Sequence, residues 1–295
     1  MMKTLKVILC SCLLVLVSCK GMVINGIDLG RAVDIGSKAL SSNDVSEEDE
    51  RNMGAQMAAI VLGSAPYHKN VSLQNYVNRV GFWVALQSER PHLAWQFAVV
   101  DTSAVNAFAM PGGYVVVTSG MLDLLSTEAE LAAVLAHEIA HVNRKHYLKA
   151  MEKSRSLSLV GDVAMFAGDV YQTKKGSSSD TDFYRNKVVA EKLLNTTSEL
   201  YSKGLERGDE FEADSHAVTL VARAGYDPYA VAHVLQKLGS LSADDSDLQL
   251  LFNSHPAPDD RIRSIRKTYQ QIDVESGKLV EQRFDTVMAQ VKLSD

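Results

Sequence analysis

Residues 127–150 read TEAELAAVLAHEIAHVNRKHYLKA, with His137-Glu138-Ile139-Ala140-His141 at the centre. Two histidines four apart on a helix lie on one face about one turn apart, so both imidazoles can reach one zinc ion. Glu138 sits about 100° round the helix from His137, beside such an ion rather than on it. There a carboxylate can take a proton from water that the metal has activated. The spacing carries this meaning only on a helix, and the flanking residues predict one independently. Thr127 with Glu130 forms a capping box, and Leu131, Val134, Leu135 and Ile139 continue an apolar stripe with no Gly or Pro to interrupt it.

A catalytic zinc takes three protein ligands and keeps one position for water, so a third ligand must come from elsewhere. The candidate stretch is Glu210-Phe211-Glu212-Ala213-Asp214. On a helix Glu210 and Asp214 share a face, whereas Glu212 points about 200° away from Glu210, which makes Glu210 the ligand. Asp214 falls where an outer carboxylate accepts the free N–H of a ligating imidazole. His146, five and nine residues beyond the motif histidines, is rotated off their face and reads as a structural or surface residue. His68, His92, His216 and His233 show no partner pattern.

A chain of 295 residues with 46% apolar and 22% charged content is long enough for one sizeable domain with appendages. Residues 1–18 look like a signal peptide, with Lys3 and Lys6 ahead of an apolar run from Val7 to Val17 too short to span a bilayer. Removing them, and with them Lys3 and Lys6, takes the formal charge from −6 to −8. That acidity leaves no overall electrostatic footprint for nucleic acid. Leu16-Val17-Ser18-Cys19 resembles the bacterial lipobox, in which the Cys is lipidated; an ordinary signal peptide ending near a Cys is the other reading. Cys10 and Cys12 lie in the removed segment, so Cys19 has no partner for an internal disulfide. Lys20 follows it, not the Asp that retains lipoproteins in the inner membrane, so the outer membrane is expected.

Residues 19–45 read as a lipidated tether, 46–272 as a zinc peptidase domain and 273–295 as a C-terminal tail with a weakly amphipathic segment. Helices are expected from Ser46, where an acidic run suits a helix N-terminus, and over 73–87, 183–203, 208–224 and 227–239, with another after Pro256. Residues 94–101 and 113–118 read as strands, and Pro111-Gly112-Gly113 as a hairpin turn. The turn is either purely structural or beside a strand, Asn106-Ala107-Phe108-Ala109, whose edge takes an extended peptide. The apolar stretch 156–171 is core packing, a lid or a membrane-facing element.

HEIAH, Glu210-x-x-Ala213-Asp214, His255-Pro256 with Arg261-Ile262, and Asn106-Ala107-Phe108-Ala109 with Pro111-Gly112-Gly113 together resemble the gluzincin peptidases that include HtpX, BepA, LoiP and the CAAX prenyl proteases. The likeness covers about 47–270 and is nearest to the LoiP-type periplasmic lipoproteins. It implies a mainly helical α+β, zincin-like fold with a small sheet beside the active-site helix. It implies one zinc per chain on His137, His141 and Glu210, Glu138 as base and Asp214 behind the ligands. His255 is implied near the metal, either stabilising the oxyanion or capping the zinc in a resting form; a third reading is that His255-Pro256 merely starts a helix. The implied function is endopeptidase quality control of unfolded or misassembled envelope proteins, on the periplasmic face of the outer membrane. The alternative is a chaperone or assembly factor for outer-membrane proteins with little proteolysis.

Overall fold

The computed structural model describes residues 23–24, 27–28, 45–154, 205–241, 251, 255, 258–272 and 277–293. Cys19, the 156–171 stretch and the 183–203 helix therefore lie outside the described residues.

Helix α1, Glu47–Ser64, begins where the acidic run predicts, with Ser46 accepting from the Asp49 amide at 3.1 Å. Helix α2, Val71–Ala85, is capped by Asn70, two residues earlier than expected. Three strands follow: β1 Gln96–Val100, β2 Ala107–Met110 and β3 Tyr114–Thr118. The β2–β3 hairpin turns through Pro111-Gly112-Gly113, with φ of +76° and +97° at the glycines, a region that L side chains avoid. Strand β1 pairs with β3 in parallel, so the order is β1-β3-β2 and β2 lies at an edge. Trp95, Phe97 and Val99 are buried as their alternation predicts, and Val115 to Thr118 are buried consecutively because β3 is covered on both faces.

The hairpin turn is locked onto α1. Buried Glu50 accepts from the Gly112 amide at 3.1 Å and from Arg90 at 2.8 and 2.9 Å. Gly54 lets the helix approach, since a Cβ there would fall 1.7 Å from the Pro111 carbonyl oxygen.

After α3, Ser119–Leu124, comes the motif helix α4, Glu128–Asn143, its N-terminus capped by Thr127. Glu130 accepts from the Ser126 amide at 2.6 Å, one residue before the position a capping box requires. Contrary to a helix running on to Ala150, α4 stops at Arg144. Lys145 has φ +54°, and α5, His146–Ser154, starts afresh. The remaining helices are α6 Arg207–Arg223, α7 Ala230–Ser240, α8 Pro258–Gln271 and α9 Glu281–Lys292. Helix α4 packs against α6, α2, α7 and the edge strand β2. Ala133, Ala136 and Ala140 on α4 and Ala213 and Ala217 on α6 are buried, and such small side chains let two helices come close.

Helix α9 is tied to the first turn of α4 through Glu128. That carboxylate accepts from Tyr76 at 2.9 Å, from Tyr226 at 2.7 Å and from Arg283. Burial alone would raise its pKa, but the donors Arg283, Tyr226 and Tyr76 outweigh burial and hold it below the usual range. A depressed carboxylate stabilises fully above its unfolded pKa of about 4.3 and loses that contribution as pH falls through the folded value. Glu128→Gln is thus expected to cost about 1–3 kcal/mol at neutral pH, with a deficit that shrinks on acidification. Denaturant titrations across the acid range measure it; a deficit independent of pH would mean the charge is not its source.

Candidate metal centre

Helix α4 supplies His137, Glu138 and His141, and α6 supplies Glu210 and Asp214 one turn apart. Helix α6 opens with a capping box between Glu206 and Asp209, which places Glu210 in the first turn, where the helix dipole favours a carboxylate. His137 Nε2 and His141 Nε2 are 3.0 Å apart. Glu210 Oε1 lies 3.4 Å from His141 Nε2, and Oε2 lies 3.6 Å from His137 Nε2. Donors on a tetrahedral zinc with bonds of about 2.05 Å sit about 3.3 Å apart, so the spacing suits one such ion. Glu210 Oε1 is buried without a hydrogen-bond partner among the described residues, as a carboxylate kept for a cation would be. His255 completes a buried group of four whose ligand atoms all lie within 4.8 Å of one another.

The electrostatics follow from burial and these neighbours. Burial pushes His141 well below the usual imidazole range, which keeps it neutral and able to offer a lone pair. Burial by itself would raise Glu210, but His255, His141 and Arg261 hold it well below the ordinary range. His255 is lowered by burial and raised more by Glu210, to which its Nδ1 bonds at 2.7 Å. Glu138 is raised by burial, and its Oε2 has no hydrogen-bond partner among the described residues. A cavity of about 40 Å³ opens beside it, roomy enough for water, lined by Ala107, Val134, His137, Leu235, Leu251 and His255 among others.

Asp214 Oδ1 stands 3.0 Å from His137 Nδ1 and accepts its proton, which leaves the His137 Nε2 lone pair facing the group. Asp214 is itself gripped by Arg261, Nε to Oδ2 at 2.8 Å and Nη2 to Oδ1 at 2.7 Å. Burial would raise Asp214, but the Arg261 guanidinium outweighs it and keeps the carboxylate charged. Of the candidate strand, Ala107, Phe108 and Ala109 lie in β2, and buried Asn106 precedes it.

Of the two readings of His146, structural or surface, the surface one fails, and so does its rotation away from the motif histidines. His146 is fully buried, with Nδ1 3.0 Å from His141 Nδ1. Helical phase carried straight through Lys145 turns it away; the break there folds α5 back and brings it behind the motif. No Gly or Pro marks that break, so the sequence carries little sign of it. Arg261 was visible as part of a motif, but its pairing with a residue 47 positions earlier was not.

Residues 71–269 match Peptidase family M48. The chain is 28% identical over 245 residues to the beta-barrel assembly-enhancing protease of Yersinia pestis, covering 81% of this chain and 47% of that protein. It is 27% identical to the metalloprotease LoiP of Escherichia coli, over 85% of this chain and 91% of LoiP. It is 32% identical to the mitochondrial metalloendopeptidase OMA1 of Arabidopsis thaliana, over 54% and 29% respectively. The chain thus spans about half the length of the beta-barrel assembly-enhancing proteases it resembles.

Proposed function

The chain belongs to peptidase family M48, and from that footing we propose that it is a zinc-dependent endopeptidase acting on unfolded or misassembled envelope proteins. The observation that carries the reading is the convergence of His137, His141 and Glu210 beside buried Glu138, whose Oε2 has no hydrogen-bond partner among the described residues. Those three residues would hold one zinc per chain, a Lewis acid that when bound lowers the pKa of water and polarises a carbonyl. Glu138 takes a proton from water and delivers it to the leaving amine, and its raised pKa keeps it basic enough to do so. The edge strand β2, buried in this structure, would take the substrate backbone as an added strand once its edge is uncovered. The name of the beta-barrel assembly-enhancing proteases joins assembly to proteolysis; the presence of Glu138 favours a working enzyme over an assembly factor alone. No helix among the described residues is long and apolar enough to cross a membrane, and we place the protein on the periplasmic face of the outer membrane through a lipid on Cys19.

Casein hydrolysis by the full chain should stop on chelation and return with zinc. In Glu210→Ala neither zinc nor activity should be retained; full activity in the chelated protein or in that variant would end the reading. His255 is assigned the oxyanion role, so His255→Ala should lower kcat by roughly 10²–10³-fold with little change in KM. A rise in activity would instead make it a resting ligand, and unchanged turnover with a lowered Tm would make it structural.

A further inference from the structure

We propose that His146 is a positioning residue for the metal centre: it accepts the Nδ1–H of His141 on its own Nδ1 and donates its Nε2–H to Glu212, so that His141 presents its Nε2 lone pair to the ion. The inference rests on the reading of His137, His141 and Glu210 as ligands.

Two Nδ1 atoms 3.0 Å apart hold one proton between them, since two lone pairs would repel and two N–H groups would collide. His141 Nε2 faces His137 Nε2 and Glu210, so as a ligand it is bare and the proton of that ring sits on Nδ1. His146 Nδ1 is then the acceptor, and its own proton is left on Nε2. That nitrogen points at carboxylates, 3.3 Å from Glu212 Oε2 and 3.7 Å from Asp209 Oδ1. With this assignment each ring nitrogen of the pair has a partner, inside a site where His141 and His146 are both fully buried.

The arrangement mirrors the other ligand. His137 is oriented by Asp214, which Arg261 holds; His141 is oriented by His146, which Glu212 holds. A neutral imidazole is a weaker acceptor than a carboxylate, so the His146 arm should contribute less to affinity than the Asp214 arm. The competing assignment is a second cation held by His146, Asp209 and Glu212, which also lie close together. It would require His146 to offer lone pairs at both nitrogens at once, an imidazolate, and the 3.0 Å contact with His141 argues against it.

The test is zinc affinity of the full chain by competition with a chromophoric chelator. His146→Leu should bind zinc roughly 10–100-fold more weakly, and His146→Asn, whose Oδ1 can stand where Nδ1 stood, should recover most of that loss. Glu212→Ala, at a half-exposed position, should weaken binding by a smaller factor. Proton–nitrogen correlation spectra of the zinc-loaded protein should show His141 protonated at Nδ1 and His146 at Nε2. Equal affinities for the Leu and Asn variants, a proton on His146 Nδ1, or a second zinc equivalent lost in Glu212→Ala would each overturn the proposal. A wild-type chain that binds no zinc would overturn the ligand reading beneath it as well.

Discussion

Glu138→Gln in the zinc-loaded chain is expected to slow casein hydrolysis by roughly 10²–10⁴-fold, the usual worth of a positioned general base, with zinc content unchanged. Glutamine keeps the shape of the side chain and removes only its ability to take a proton. Glu138 Oε2 bonds to nothing else among the described residues, so no hydrogen bond that holds α4 in place at that atom is lost. The contrast with Glu210→Ala is the informative part. That substitution should remove zinc and activity together, whereas Glu138→Gln should separate them. Near wild-type hydrolysis by a fully metallated Glu138→Gln protein would remove Glu138 from the mechanism.

Arg261→Met should be the most destabilising substitution near the site, costing about 3–5 kcal/mol. Arg261 is buried and makes two hydrogen bonds to buried Asp214, so its removal leaves a carboxylate without its cation in a low-dielectric interior. A second substitution tells stability from metal binding. Asp214→Leu added to Arg261→Met removes the orphaned charge and should restore much of the stability, because apolar replacement of a whole buried pair is often close to neutral. Zinc affinity should not return, since His137 Nδ1 has then lost its acceptor. Thermal melts and chelator competition on the two variants measure both quantities. A double variant no more stable than Arg261→Met would show that the pair contributes through packing and not charge.

What could be read without coordinates was short in range. The 3.6-residue period places His137 and His141 on one face and Glu210 and Asp214 on another, and the two faces meet, Glu210 against both histidines and Asp214 against His137. Ser46 and Thr127 announce helix starts because a side-chain oxygen captures an amide three residues on. Pro111-Gly112-Gly113 announces the hairpin because two successive positive φ angles need glycine. Each of these signals lies within one turn of helix or one reversal of chain.

The tertiary structure decided what depends on residues far apart. The sequence names strands near 94–101 and 113–118, but the parallel pairing of β1 with β3, and hence the edge position of β2, comes from how the segment between them is routed and covered. Arg261 meets Asp214, and Arg283 meets Glu128, across separations that no local period encodes. His146 is the sharpest case. A single left-handed residue, Lys145, cancels the phase argument and carries a fully buried imidazole back to the motif helix. The sequence by itself determined which residues could bind a metal and on which helices; the packing of α4, α5, α6 and α8 decided which groups stand behind them, because a hydrogen bond between helices is set by their approach and not by spacing along either one.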